Sequence, residues 1–207
     1  GEAIPGLSPH PTRGTSGKFS YDWQVVDRTF NYMRRLQVLP YISIDATPQI
    51  LGGSVEPFSG SMLRTGLAFQ SGFSAEVPRD FAAYGDIVRG LVHHVVVERG
   101  MRVPYWGVWN EPDIDFWKGS LADYLRLYDV VAHAVKSVDP RLQVGGPETS
   151  SWNPQWADEL VRHSARTGVP LDFFSWHYYS GNLGELHEAS VRILALARET
   201  GRSKPPR

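Results

Sequence analysis

The sequence predicts an α/β fold of the (β/α)8 TIM-barrel type, present in part, because strand patterns and helix patterns alternate strictly along the chain. Four segments are nearly continuous in apolar residues, as strands buried on both faces of a parallel sheet are: residues 38–44, 103–109, 142–146 and 171–177. Apolar residues spaced by three and four precede, separate and follow them, which predicts five helices. About four βα units result.

Two parallel architectures fit this alternation. A doubly wound open sheet should carry a Gly-rich phosphate turn after an early strand, but Gly52-Gly53 and Gly145-Gly146 fit neither that spacing nor a P-loop. A barrel places polar and catalytic residues at the carboxyl ends of several strands. Six polar residues fall there, namely Asp45, Asn110, Glu111, Glu148, His177 and Tyr179. The barrel is therefore the predicted architecture.

Local signals predict where the helices begin and end. Asp22 is the predicted N-cap of the first helix, and Pro78 is predicted to open the second at its first position. Ser120, with an acidic residue three positions later, predicts a capping box for the third helix. Asn153 precedes a proline and caps the fourth helix, and Gly201 ends the last one.

Two long segments lack helix and strand patterns. Residues 1–20 are rich in Gly, Pro, Ser and Thr and are predicted to form a loop. Residues 46–77 form a long connection after the first strand, and structureless loops beyond ~12–15 residues are usually functional. With Phe58, Phe69 and Phe73, this connection is either a lid over a substrate or a disordered insertion.

The amino-acid composition excludes several classes of function. The chain carries 21 Lys and Arg against 22 Asp and Glu, and a formal net charge of −1 gives no electrostatic footprint for nucleic acid or an anionic membrane. No apolar run approaches the ~20 residues of a membrane span. The absence of Cys excludes disulfides, thiolate metal sites and Cys nucleophiles. Seven Trp residues are more than a core usually needs, and aromatic faces suit stacking on sugars or bases.

No metal or cofactor is predicted. His93 and His94 are adjacent helix positions and cannot face one ion. Asp113 and Asp115 lack the glycine and the downstream Glu of a calcium loop. The oligomeric state is not determined by the sequence, and the compartment stays open because any signal peptide would precede Gly1.

The most informative segment follows the second predicted strand. Glu111 comes at a strand mouth walled by Trp106 and Trp109, where desolvation is expected to raise the pKa of its carboxyl group. Such a carboxyl can protonate a leaving-group oxygen, which is the general-acid half of glycoside hydrolysis. Asn110 offers an uncharged amide to a sugar hydroxyl, and Pro112 makes the turn rigid.

Five ordered blocks carry a resemblance to a known family. They are residues 109–117 (WNEPDIDFW), Tyr124 with Tyr128, residues 134–140 (AVKSVDP), residues 144–147 (VGGP) and residues 172–179 (DFFSWHYY). Together they resemble glycoside hydrolase family 39, a clan A family of β-xylosidases, α-L-iduronidases and bacterial relatives. The resemblance runs from about Tyr21 to about Gly201. It implies a retaining glycosidase that cleaves a xyloside-type or uronide-type linkage in an oligosaccharide or polysaccharide.

The resemblance also implies roles for individual residues. Glu111 matches the family's general acid/base, and Asn110 matches the asparagine beside the reacting sugar carbon. His177 and Tyr179 match the His-x-Tyr pair that lines the subsite of the cleaved sugar. The four strands correspond to barrel strands three to six, so residues 1–207 are predicted to be part of one catalytic domain, with strands one, two, seven and eight absent. The family's nucleophile is a Glu after strand seven, so this chain alone is expected to be inactive.

Other readings of these residues stay open at this point. Glu111 could cap a helix or form a surface ion pair, His177 could be a core histidine, and Tyr179 could be a packing tyrosine. Trp117 either stacks on a sugar or anchors its loop, and Glu148 either contacts a sugar hydroxyl or is a solvated loop charge. The alternative function is a non-catalytic carbohydrate-binding or scaffold protein derived from a glycosidase barrel. In either case the expected partner is a carbohydrate.

Overall fold

Four parallel strands form the central sheet of the computed structural model, which describes residues 11–13, 18–48, 50–52 and 73–201. In sheet order, which is also chain order, they are β3 (Tyr41–Ile44), β6 (Tyr105–Val108), β7 (Gln143–Thr149) and β8 (Phe173–Trp176). Two-residue strands form two antiparallel pairs, namely β1 (Thr12–Arg13) with β2 (Phe19–Ser20) and β4 (Thr47–Pro48) with β5 (Phe73–Ser74).

Helices alternate with the parallel strands. They are α1 (Gln24–Arg35), α2 (Phe81–His93), α3 (Leu121–Val138), α4 (Pro154–Thr167) and α5 (Leu183–Glu199), with a π-helical turn over His94–Glu98 after α2. The predicted parallel βα alternation is therefore confirmed. A doubly wound sheet reverses its strand order at a switch point, whereas each of these strands pairs with the next one along the chain. Helix α2 packs on α3, α3 on α4 and α4 on α5, as in the outer ring of a barrel.

All four strand bounds differ from the prediction: β6 and β8 are shorter than the predicted 103–109 and 171–177, and the first and third strands differ most. The first strand was predicted to include Val38 and Leu39, which are exposed and precede β3. An apolar run does not reveal which residues have a pairing partner, and Tyr41 is the first to pair, with Tyr105. The third strand runs on to Thr149 instead of ending two residues after Val144, so Glu148 lies within β7.

Several predicted helix ends are confirmed. The Ser120 hydroxyl accepts a hydrogen bond from the Asp123 N–H, and the Asp123 carboxylate accepts one from the Ser120 N–H, which completes the capping box of α3. Asn153 caps α4, which ends at Gly168 in the left-handed conformation.

Two predicted helix starts are wrong. Helix α2 does not open at Pro78, because Asp80 is its N-cap and accepts a hydrogen bond from the Ala83 N–H. Trp23 rather than Asp22 is the N-cap position of α1. The Asp22 carboxylate accepts instead from the Gln24 N–H, a local turn that an aspartate before a helix can also form.

The long segments are described only at their ends. Within residues 1–20, the described part contains β1 and β2 rather than loop alone, because the Thr12 and Ser20 backbones pair. The connection over 46–77 is closed at its base by β4 and β5. Phe58 and Phe69 lie outside the described residues, and so does the Phe73 side chain, so the lid remains a prediction.

The buried ring of His94 contacts two carboxylates and thereby joins α1 to the end of α2. The imidazole of His94 lies 2.8 Å from an Asp27 carboxylate oxygen through Nε2 and 2.7 Å from a Glu98 oxygen through Nδ1. The ring stacks on Trp23 with 4.2 Å between centroids. His94 is buried and His93 is exposed, so the two predicted helix histidines have different surroundings. Among the described helices, none is long and apolar enough to cross a membrane.

Candidate active site at the carboxyl edge of the sheet

The predicted site residues come from the carboxyl ends of neighbouring strands. Asp45 follows β3, Glu111 follows β6 by three residues, Glu148 lies near the end of β7, and His177 follows β8 directly. Because all four strands are parallel, these ends lie along one edge of the sheet.

Glu111 lies at the centre of this edge and is 7% exposed. Its Oε1 is 2.6 Å from Nδ1 of His177 and accepts a longer hydrogen bond, 3.4 Å, from the Tyr179 hydroxyl. That hydroxyl is also 3.3 Å from Nδ1 of His177. Within the described residues, Oε2 of Glu111 has no hydrogen-bond partner. Glu111, His177 and Tyr179, which the sequence analysis selected separately, therefore meet in space.

Main-chain hydrogen bonds connect the strand ends that carry these residues. The Trp109 N–H donates to the Ile44 carbonyl at 2.9 Å, and the Glu111 N–H donates to the Glu148 carbonyl at 2.9 Å. The His177 N–H donates to the Thr149 carbonyl at 2.8 Å. Each bond crosses from one strand end to its neighbour, so the loops that hold Glu111 and His177 are fixed beyond the sheet itself.

The backbone at this edge adopts conformations that non-glycine residues rarely use. Ala46, Trp109, Glu111 and Glu148 have φ values of 62°, 68°, 48° and 55°. Each such residue costs about 1–3 kcal/mol and persists where the surrounding structure imposes it, often at active sites and ligand clamps. Four of the five positive-φ non-glycine residues in the described part of the chain lie here, which supports a functional role for the edge.

Glu148 is 3% exposed and is held by two hydroxyl groups. Tyr41 donates to its Oε1, and Ser43 donates to its Oε2. Burial raises the pKa of Glu148 to about 7, although both hydrogen bonds act in the opposite direction. The reading of Glu148 as a solvated loop charge is therefore wrong. Both oxygens are already occupied by protein donors, so the structure does not present this carboxylate to a sugar.

Gly107 leaves the space that the Glu148 carboxylate fills. A Cβ at position 107 would overlap Glu148 Oε1 and press on the Tyr41 hydroxyl. Glycine is thus required in the middle of β6 by close approach rather than by backbone conformation. Burial among these groups, followed by the Glu148 charge, also raises the pKa of the Tyr41 hydroxyl.

Asp45 is a further carboxylate at this edge. Its position at a strand end was predicted from the sequence, but no role was predicted for it. Its side chain is exposed, yet desolvation by the surrounding protein raises its pKa to about 6. The negative charge of Asp45 contributes to the raised pKa of Glu148, so the two acids are near neighbours. Tyr41, Ser43 and Asp45 are alternate positions of β3 and its end, so all three lie on the side of the strand that faces Glu148.

Trp117 does not lie in the cleft. Its ring is 4% exposed, packs edge-on against Trp109 at 4.8 Å, and donates from Nε1 to the Ser120 carbonyl at 3.1 Å. The Trp109 indole donates in turn to the Phe116 carbonyl. These contacts are those of a loop anchor, so stacking of Trp117 on a sugar has no support here. Asn110 is partly exposed beside Glu111, and Tyr179 is 82% exposed.

No set of three or more His, Asp or Glu side chains in the described ranges is arranged to hold a metal ion. Independently of that finding, the contact between the Glu111 carboxyl group and the His177 imidazole suits acid–base chemistry. A carboxyl group beside an imidazole can hold a proton or release it.

Parallel strands in chain order, helices that pack in succession and acids at the carboxyl ends define part of a TIM barrel. TIM-barrel proteins catalyse many different reactions, so the fold alone does not identify the reaction. The sequence goes further, because the model of glycosyl hydrolases family 39 matches residues 12–200. The chain belongs to this family, as its motifs predicted.

Three known proteins are similar to this chain. It is 32% identical over 165 residues to a β-xylosidase of Geobacillus stearothermophilus, covering 77% of this chain and 31% of that protein. It is 25% identical over 186 residues to the human α-L-iduronidase, covering 80% and 25%. A monomeric β-xylosidase from Caulobacter crescentus CB15 superposes with a TM-score of 0.74 at 26% identity, over 95% of this chain and 41% of that one. The chain thus spans a third or less of the length of these two curated relatives.

Proposed function

We propose that this chain supplies the acid/base half of a retaining glycosidase, with Glu111 as the general acid/base. The observation that carries the proposal is the contact of Glu111 Oε1 with His177 Nδ1 at 2.6 Å, together with an Oε2 that has no partner among the described residues. In the first step, Glu111 protonates the departing glycosidic oxygen. In the second, it takes a proton from the water that attacks the glycosyl-enzyme.

The imidazole contact suits a group that alternates between acid and base. The Nδ1–H of His177 donates to Oε1 when Glu111 is ionised, and the same hydrogen bond persists when Glu111 carries its proton on Oε2, the oxygen that delivers it to the leaving group. One contact therefore serves both states of the carboxyl group. Tyr179 adds a second donor to the ionised form. Asn110, partly exposed next to Glu111, is suited to a hydroxyl of the bound sugar.

A retaining reaction needs a second carboxylate ~5–5.5 Å from the first, on the opposite side of the bond. Glu148 is a poor nucleophile, because both of its oxygens accept hydroxyl donors and its pKa is raised to about 7. The nucleophile in this proposal is the Glu that the family carries after barrel strand seven, a strand outside the four described here.

The charge of the cleft favours a neutral sugar over a uronide. Glu111 and Glu148 have hydroxyl and imidazole partners and no Lys or Arg partner among the described residues, and Asp45 adds a third acid nearby. A sugar carboxylate would need a cationic partner, and its charge would raise the pKa values of these neighbouring acids further. We therefore propose a neutral pyranoside, such as the xylosides named for the bacterial relatives, as the substrate class.

The acid/base role is tested by Glu111→Gln in the longest natural polypeptide that contains these residues. Turnover of xylobiose, whose leaving group needs protonation, is expected to fall by ~10²–10⁴-fold. Turnover of an activated aryl xyloside, whose leaving group departs without help, should fall far less. Glu159→Gln, on the exposed surface of α4, is the matched control and should change neither rate. Equal losses with both substrates would contradict the assignment, and xylobiose binding without turnover in the unmodified protein would favour the carbohydrate-binding alternative.

A further inference from the structure

Two fully buried tyrosines of α3 each donate a hydrogen bond to a main-chain carbonyl, at two different places. The Tyr124 hydroxyl donates to the carbonyl of Val108 at 3.0 Å, and the Tyr128 hydroxyl donates to that of Pro170 at 2.8 Å. Val108 is the last residue of β6, directly before the segment that carries Glu111. Pro170 precedes β8, so it lies at the amino ends of the strands, opposite the edge that carries Glu111. Only the first bond therefore lies next to the candidate site.

The Val108 carbonyl belongs to the peptide unit in which the backbone turns away from the strand. The N–H of the same peptide unit is that of Trp109. It donates to the Ile44 carbonyl, and Trp109 has a φ of 68°. The tyrosine bond on one side of this peptide and the strand bond on the other fix its plane. Since Glu111 is two residues further on, with a φ of 48°, the peptide sets where its carboxyl group points.

Strand β7 makes room for the hydroxyl that forms this bond. A Cβ at Gly146 would lie 2.8 Å from the Tyr124 hydroxyl oxygen, closer than real Cβ atoms approach. A larger residue at position 146 would therefore displace the hydroxyl from Val108. The sequence thus supplies both the donor and the space that the donor needs.

The same arrangement occurs at the neighbouring strand end. The buried hydroxyl of Tyr84, on α2, donates to the carbonyl of Ala46 at 3.2 Å, and Ala46 has a φ of 62°. A helix tyrosine thus supports an unusual backbone conformation at the ends of both β3 and β6. Strained conformations persist only where the surroundings impose them, and these hydroxyls are part of what imposes them.

We propose that Tyr124 is a positioning residue for Glu111. It acts through the Val108 carbonyl and the turn at Trp109, and it touches neither the carboxyl group nor a substrate. The inference rests on the proposed function in so far as the position of Glu111 matters for catalysis. The placement itself can be tested without turnover.

The test is amide hydrogen exchange in the longest natural polypeptide that contains these residues, read at two main-chain bonds. The Glu111 N–H donates to the Glu148 carbonyl beside the Tyr124 bond, and the Asp172 N–H donates to the Val144 carbonyl at 2.8 Å, two residues after Pro170. Tyr124→Phe should speed exchange at Glu111 roughly fivefold, as loss of one hydrogen bond predicts, and leave Asp172 unchanged. Tyr128→Phe removes a hydroxyl group from an equally buried ring. It should speed exchange at Asp172 and leave exchange at Glu111 unchanged.

The NMR resonance of the His177 ring Nδ1 gives a second readout, because that nitrogen contacts Glu111. It should move in Tyr124→Phe and stay in place in Tyr128→Phe. If Tyr124→Phe does not fold by circular dichroism, Gly146→Ala replaces it, since it keeps the tyrosine and crowds its hydroxyl. An equal response of the two tyrosine variants at Glu111, or no response in either, would overturn the proposal. Failure of the Glu111→Gln experiment with this pattern intact would show a positioned carboxyl group with another role.

Discussion

The main-chain N–H of Glu111 donates to the main-chain carbonyl of Glu148 over 2.9 Å, so the backbones of two acids of the cleft are tied together. Their side chains nevertheless have different surroundings. Glu111 faces an imidazole and keeps one oxygen without a partner in the described part of the chain, whereas Glu148 is enclosed by two hydroxyl groups. This difference suits Glu111 to proton transfer and Glu148 to support of the cleft.

Glu148 should make the stability of the chain depend on pH. Burial raises its pKa from 4.5 to about 7 in the folded state, so the folded protein holds a proton that the unfolded chain releases. The stabilisation is complete below about pH 4.5 and is lost as the pH rises towards 7, with an upper limit of ~3 kcal/mol. Glu148→Gln should flatten that part of the decline, as measured by urea unfolding between pH 5 and 8.

The control for this measurement is Glu159→Gln, an exposed carboxylate on α4, which should retain the decline of the unmodified chain. Asp45, with a pKa raised to about 6, adds a decline of the same sign in all three proteins, so part of the decline remains in Glu148→Gln. Parallel curves for Glu148→Gln and the unmodified chain would show that Glu148 is not protonated in the folded state.

Gly107→Ala should be among the most damaging single substitutions in the sheet. The added methyl group would occupy the position of Glu148 Oε1, so either the carboxylate or β6 must move. We expect a loss of about 3 kcal/mol or more in the free energy of unfolding, measured by urea titration. Gly181→Ala, whose Cβ would meet no atom within 4 Å, is the control and should be nearly neutral.

The explanation for Gly107 is specific enough to be checked by a second substitution. Glu148→Ala removes the carboxylate that the new methyl group would strike. Gly107→Ala should therefore cost less in the Glu148→Ala background than in the unmodified chain, which is a coupling of about 1–3 kcal/mol in a double-mutant cycle. Strict additivity of the two substitutions would contradict the overlap as the cause.

The two adjacent histidines at the end of α2 should respond differently to substitution. His94 is buried, stacks on Trp23 and contacts the carboxylates of Asp27 and Glu98. His94→Ala removes these contacts and leaves two acids close together, which should cost about 2 kcal/mol in thermal or urea unfolding. His93→Ala, at an exposed position, should cost less than about 0.5 kcal/mol. Similar losses would mean that the His94 contacts do not join α1 to α2.

The sequence predicted the strand-end residues because parallel topology brings strand ends together. Glu111 lies 66 residues from His177 in the chain, yet both follow parallel strands of one sheet, whose carboxyl ends lie along one edge, and Tyr179 is two residues beyond His177. The helix caps at Ser120 and Asn153 were predictable for a different reason, since capping depends on residues within one turn.

The remaining features depend on distances that no local pattern contains. Tyr41 looked like one more apolar strand residue, and its bond to Glu148 joins positions 107 residues apart. Tyr124 looked like a core residue on an amphipathic helix, and only the tertiary packing brings its hydroxyl to Val108. Trp117 was misjudged because the presence of an aromatic residue says nothing about the exposure of its ring.

The central claim is that Glu111 is the acid/base of a two-step displacement, and chemical rescue of Glu111→Ala tests it most directly. In the longest natural polypeptide that contains these residues, an activated aryl xyloside still forms the glycosyl-enzyme without an acid, but the base that activates water is missing. Azide is a nucleophile that needs no base. The account predicts that azide restores turnover and yields a glycosyl azide that retains the configuration of the substrate. Turnover that azide does not change, or a glycosyl azide of inverted configuration, would contradict it.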